Sequence, residues 1–229
     1  MQYKLLSLQV GKAKGYGDKQ SHEFLTKYWE SGSFKEPTLE KVWAGKLGLS
    51  GDEVADKIHH GGEEKAIFAN SYENYKEWSE FLGKEIPFGA LAENLTISGL
   101  HESSVCFGDI HKIGEAVLQV SQPRKPCWKI SKRWNNKKFT HEIYATGLTG
   151  WYYRVIEEGF LGAGDEVVLL SREAEQVSIL DANMAFANPI MHRDILEKIL
   201  SVPSLAPSYR ASIEKRIIGE FSLEYMKVD

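Results

Sequence analysis

Residues 115–130 read Glu-Ala-Val-Leu-Gln-Val-Ser-Gln-Pro-Arg-Lys-Pro-Cys-Trp-Lys-Ile. The first part is a short apolar run bounded by turn residues, the pattern of a buried strand. That strand delivers the chain into a stiff turn, because Pro123 and Pro126 each lock φ and remove a backbone donor. Gly114 joins it to a preceding apolar run at residues 105–110. Further strand-like stretches follow in both directions: 3–10, which alternates, a pair within 38–49, 63–69 with Lys65 near its start, 93–97 and 165–170. Many short strands broken by glycine-containing turns predict a β-barrel or compact β-sandwich.

Helices are predicted at 71–82, where Ser71 is a cap and Tyr72, Tyr75, Trp78, Phe81 and Leu82 share a packing face. A short helix is predicted at 149–158 between Thr149 and Gly159. Residues 11–33 read as a loop or exposed hairpin. After Arg172 the pattern changes to three helices at 178–187, 188–200 and 208–218, with Asn188-Pro189 and Ser208 as start signals. The reading is therefore a mainly β (α+β) protein: a barrel domain over 1–172 with short peripheral helices, and a three-helix C-terminal appendage over 174–221.

The 229 residues carry a formal charge of −4 and two cysteines. That charge gives no general attraction to nucleic acid or an anionic membrane. No run approaches the roughly 18 apolar residues of a spanning helix, and residues 1–10 lack a signal-peptide pattern. Two cysteines twenty residues apart suit a reducing cytoplasm better than a disulfide framework. The expected protein is cytoplasmic and soluble.

Cys127 carries the chemistry most open to reading. A free cysteine is ordinarily a small buried core residue. Here Arg124, Lys125 and Lys129 lie within three residues of it, and a positive neighbourhood favours the thiolate, which is both nucleophile and soft metal ligand. Two other segments hold polar groups that a strand-and-turn core does not need: His59 to Lys65, which includes His60-Gly61-Gly62, and Glu93-Asn94. Brought together, these would offer one thiolate, several cations, the Asn94 amide and backbone donors at Gly61 and Gly62. Such a set suits a ligand with anionic groups and a soft metal. A zinc site is disfavoured, since His59, His60, His101, His111 and the cysteines lack zinc spacing. A papain-like pairing of Cys127 with His60 or His141 lacks its signature, and no nucleotide-binding glycine motif is present.

Taken in order, Gly51-Asp52-x-x-Ala55-Asp56, His60-Gly61-Gly62-x-x-Lys65-Ala66, Glu93-Asn94-Leu95-Thr96, Gly108-Asp109, Gln122-Pro123-Arg124-x-Pro126-Cys127 and Thr149-Gly150-Trp151-Tyr152-x-Arg154 resemble a MOSC domain, named after the C-terminal part of molybdenum cofactor sulfurase. The chain is most similar to the family's bacterial YiiM branch, whose three-helix extension the tail also resembles. The resemblance implies a barrel-like fold and a molybdenum cofactor, with Cys127 as molybdenum ligand. It places Lys65 and Asn94 in the cleft as catalytic groups that orient substrate. His60, Gly61, Gly62, Arg124 and Arg154 fall in matched motifs as cofactor-binding positions. It implies reduction of N-hydroxylated compounds, hydroxylaminopurine bases and amidoxime-like molecules among them, to amines as a detoxification. The electrons would come from a separate donor protein. A cofactor or sulfur carrier that uses Cys127 without turnover is the competing reading, and the helical tail is a candidate homodimer interface. Ala92 departs from the family pattern, which has Gly there.

Overall fold

The computed structural model of the chain describes residues 2–227. Its strands are β1 (Tyr3–Val10), β2 (Lys14–Tyr16), β3 (Trp29–Ser31), β4 (Glu36–Thr38), β5 (Val42–Gly45), β6 (Gly48–Leu49), β7 (Ile67–Ser71), β8 (Leu95–Ser98), β9 (Ile110–Ile113), β10 (Ala116–Pro123), β11 (Trp151–Glu157), β12 (Gly159–Leu161) and β13 (Glu166–Ser171). Its α-helices are α1 (Lys57–His60), α2 (Asn74–Leu82), α3 (Lys129–Arg133), α4 (Phe139–Thr146), α5 (Ile179–Ala187), α6 (Arg193–Leu200) and α7 (Pro207–Ile217).

Seven strands close into a barrel in the order β13-β9-β10-β11-β7-β8-β1, and β1 returns to β13 through Tyr3–Val167 and Lys4–Glu166. Closure removes the unpaired edges that would otherwise recruit other chains. β7 and β8 run parallel, with Ala69 opposite Leu95. A parallel pair needs a crossover, and α2 provides it. Tyr75 and Trp78 of α2 are buried, and Gly83 ends the helix at φ +67, a left-handed cap that glycine adopts without a Cβ penalty.

One continuous apolar core joins the barrel to the C-terminal helices. Leu118 and Val120 of β10 belong to the same buried cluster as Ile179, Ala182, Leu196, Ile199, Tyr209 and Ile213. The appendage is thus fused to the barrel through packing. A second cluster, with Trp78, Leu91, Ile130, Phe139 and Ile143, lies beneath α2, α3 and α4.

Several local expectations change. Residues 151–157 form β11, a barrel strand, where a helix was expected. The run Trp-Tyr-Tyr-Arg-Val-Ile is rich in β-formers, and it completes the barrel between β10 and β7. Ser71 belongs to β7 and accepts from the Glu73 N–H, while α2 begins at Asn74. Asn188 closes α5, and α6 starts only at Arg193. Before β9, residues 105–109 hold a turn at 107–108 and an isolated antiparallel bridge from Cys106 to Ser178, not a strand. The helices α3 and α4 had no counterpart in the sequence reading.

Candidate functional site

The site forms where β10 leaves the barrel. The β10–β11 register shifts between Val120 and Gln122, leaving Ser121 as a bulge that holds its neighbours. Its Oγ donates to the carbonyls of Glu64 (2.5 Å) and Tyr152 (3.2 Å). Bulges re-aim the chain beside functional sites, and this one directs Arg124–Cys127 across the barrel mouth. The Arg124 N–H still reaches the Gly150 carbonyl at 3.1 Å.

Cys127 is half-buried and free, as is the buried Cys106. Two clefts meet at the Cys127 thiol. The inner one has about 720 Å³ of open space, with Lys35, Asp52, Phe68, Ala92, Asn94 and Arg124 in its walls. The outer one, about 1560 Å³, is walled by Trp128 and by Ser208, Tyr209, Ser212, Phe221 and Tyr225 from α7 and the tail beyond it. Asp56, His60, Lys65, Cys127, Lys129 and Tyr152 line both. The space closed off from bulk solvent is about 730 Å³ in the outer cleft, room for a small-molecule ligand, and about 100 Å³ in the inner one.

Arg124 is 6% exposed, with its guanidinium 5.2 Å from the Phe68 ring centre and its Nη1 buried without a partner among the described residues. No carboxylate pairs with Arg124, Lys65 or Lys129 among the described residues. The inner cleft sets Lys35, Lys65, Arg124 and Lys129 against Asp52, Glu53 and Asp56, a surplus of one positive charge inside an acidic chain. A buried charge without a counterion is costly, so the arrangement calls for an anionic ligand.

Burial first, and Arg124 second, pull the His60 imidazole down to about 4, so it stands neutral at neutral pH. Burial also lowers Lys65, whose Nζ donates to the His59 carbonyl at 2.6 Å. Burial, with Lys65 nearby, brings Lys125 to about 7. Burial raises the Tyr152 phenol to about 12, which leaves it a neutral donor at the junction.

The back wall is a buried network. Lys35 Nζ donates to both Asp52 oxygens, and Asp52 also accepts from the Gly11 N–H and Asn94 Nδ2, each at 2.9 Å. Burial lowers Lys35, and the Asp52 charge opposes that shift. Asn94 Oδ1 accepts from the Phe68 N–H at 3.1 Å, and its Nδ2 also reaches the Gln9 carbonyl at 3.2 Å. The Asn94 amide is thereby spent on holding Asp52 and β7. Glu93 is buried behind it and accepts from the Tyr75 hydroxyl and from the N–H groups of Gly89 and Leu91. Ala92 sits on the cleft wall at φ +74. That conformation explains physically why glycine suits this place.

The structure thus brings Cys127, Lys65, Asn94, His60 and Arg124 to one cleft. It does not bring Arg154 there. The Arg154 guanidinium donates to Glu64, to Gln119 Oε1 (2.9 Å) and to the Ser204 carbonyl (2.7 Å), which anchors the Glu63–Lys65 turn from behind. Gly61 and Gly62 also lie outside the two linings. Gly62 turns the chain at φ +94, and a Cβ on Gly61 would meet the Lys57 carbonyl at 2.8 Å. Sequence reasoning missed Lys35, Asp52 and Tyr152. Asp52 stood in a quoted motif, but its partner Lys35 stood in none.

A sequence model of the MOSC domain matches residues 56–168. The chain is 39% identical over 214 residues to the uncharacterized protein YflK of Bacillus subtilis, covering 93% of this chain and 94% of that one. It is 30% identical over 177 residues to a protein of Gibberella moniliformis called "Reductase", covering 76% of this chain but 31% of that longer one. The crystal structure of YiiM from Geobacillus stearothermophilus superposes with a TM-score of 0.77 at 32% identity, covering 94% of this chain and 99% of that one. The fold is what the chain shares with that structure. This chain belongs to the MOSC domain family. The family is associated with molybdenum cofactor sulfurases, and no helix among the described residues is long and apolar enough to cross a membrane.

Proposed function

We propose that the chain is a molybdenum-cofactor-dependent reductase that converts N-hydroxylated compounds, such as hydroxylaminopurine bases and amidoxime-like molecules, to amines. The observation that carries this reading is Arg124: a buried guanidinium with an unpartnered Nη1, in the same cleft as the half-buried Cys127. A soft thiolate and an anion seat are the two features that a phosphate-bearing metal–dithiolene cofactor requires. When bound, that cofactor would supply two-electron redox chemistry with an oxygen-accepting metal. Family membership and the reductase named among the relatives support the oxidoreductase class.

The chain's own residues do the rest. Cys127 Sγ is the metal ligand. Arg124, Lys65 and Lys129 hold anionic groups. His60, neutral in this setting, adds a lone pair and no charge. Lys35, Asp52 and Asn94 fix the wall that these groups face, and Asn94 acts through that wall, not by touching substrate. The outer cleft admits the substrate, with the rings of Trp128, Phe221 and Tyr225 along its sides. The balance is R–NHOH plus two electrons and two protons to R–NH2 plus water, with electrons from a separate donor protein.

The test is turnover of an N-hydroxylated purine, with an artificial reductant, by protein made in a cofactor-competent host. The wild type is expected to yield the amine, and Cys127→Ser to lose at least about a hundredfold of that rate with its fold intact, in line with loss of a group that orders the reacting centre. Undiminished turnover by Cys127→Ser would refute the ligand role. Sulfur bound at Cys127 with no turnover by the wild type would replace the reductase with a sulfur carrier.

A further inference from the structure

Lys125 projects from the cysteine loop into a box of three rings. Its Nζ lies 4.6 Å from the Phe221 centroid, 5.1 Å from Phe186 and 5.2 Å from Tyr209. Those rings come from α5, α7 and the tail after α7, and they are arranged among themselves, with Phe186 stacked on Tyr209 (6.0 Å) and edge-on to Phe221 (4.9 Å). No carboxylate pairs with Lys125 among the described residues. The head packs against the ring faces, and in its protonated form it is attracted to their negative charge.

The loop has few other restraints on this side. Pro123 and Pro126 have no N–H to donate. Among the described residues its hydrogen bonds to the C-terminal segment are from the Ala206 N–H to the Ser121 carbonyl (3.3 Å), from Ser208 Oγ to Gln122 Oε1 (3.4 Å) and from the Trp128 N–H to the Tyr225 carbonyl (3.2 Å). Between Arg124 and Cys127, Lys125 is the side chain that crosses to the helices. We infer that Lys125 is a positioning residue, which pins the Cys127 loop to the C-terminal helices through the Phe186–Tyr209–Phe221 box. The appendage is then a working part of the site, and its role does not depend on a second subunit.

The inference takes Cys127 as the working thiol, as in the proposed function, but its test needs neither cofactor nor turnover. The rate of Cys127 alkylation by iodoacetamide in the cofactor-free protein is followed by mass spectrometry, with buried Cys106 as the internal reference for global unfolding. Lys125→Ala and Phe221→Leu are each expected to raise the Cys127 rate by about fivefold, with Cys106 still protected, as local opening becomes easier. Lys125→Arg keeps a cation in the box and is expected to stay near the wild-type rate. Unchanged labelling in both Lys125→Ala and Phe221→Leu would overturn the inference, as would Lys125→Arg behaving like Lys125→Ala. If Lys125→Ala exposes Cys106 as well, Phe221→Leu in the tail decides alone.

Discussion

Replacing Arg124 with Leu separates an anion seat from a structural arginine. In the cofactor-free protein the guanidinium is 6% exposed, and Nη1 has no partner. An orphaned buried donor costs about 1–3 kcal/mol, and more when the group is charged. Against this stands the contact with Phe68 at 5.2 Å, which contributes about 0.5–2 kcal/mol. Leu fills much of the space of the arginine stem and leaves no polar atom behind. The balance predicts a variant about 1 kcal/mol more stable without ligand, a rise of about 2–4 °C in Tm for a chain of this size. The assay is thermal unfolding of both proteins with and without inorganic phosphate or pyrophosphate. Added anion should raise the wild-type Tm and leave Arg124→Leu unmoved, because only a ligand that binds the folded state at this seat shifts the equilibrium. A variant that unfolds about 5 °C or more below the wild type, with no anion response in either protein, would refute the reasoning.

Ala92→Gly removes a Cβ from a residue at φ +74; relief of about 1–2 kcal/mol of left-handed strain, less about 0.5–1 kcal/mol of glycine's backbone entropy, predicts a small gain in stability by urea unfolding. A loss would show that the methyl group packs usefully against the cleft. Asn94→Ala removes one donor to Asp52 and strands the Phe68 N–H, so it is expected to lower stability by about 1–3 kcal/mol; a normal Tm with lost turnover would instead make Asn94 a group that touches substrate. Burial holds the His111 imidazole near about 4, with its Nδ1 2.8 Å from the Tyr153 hydroxyl. Between about pH 6.5 and 4 the unfolded chain binds a proton that folded His111 resists, so stability falls with falling pH by up to about 3 kcal/mol. Urea midpoints measured from pH 7.5 to 4.5 should therefore drop less steeply in His111→Gln, and an unchanged slope would count against the assignment.

What was legible in the sequence was mostly local. The alternation of Tyr3–Val10 and the helical pattern of residues 178–187 are signals that one segment carries by itself. The thiol in its stiff basic loop was legible for the same reason. β11 was misread because Thr149 and Gly159 mimic helix ends, while its barrel neighbours, β10 and β7, lie outside any local window. Arg154 could not be placed from its motif. Pairing with β10 sets it opposite Gln119 and behind the Glu64 turn, away from the cleft. Lys35 and Asp52 form a pair across 17 residues with buried side chains, and their connection is a product of tertiary closure. Arg124, by contrast, was named from sequence, but its lack of a partner became visible only with every neighbour in place.

The proposed reductase requires a molybdenum cofactor held in this cleft by Cys127 and Arg124. Metal and pterin are measured in the chain purified from a host that makes the cofactor. Molybdenum and pterin are expected together in the wild type, both lost in Arg124→Leu, with pterin retained more fully than metal in Cys127→Ser. A well-folded wild type that carries neither, alongside a control molybdenum enzyme from the same host that carries both, would contradict the proposal.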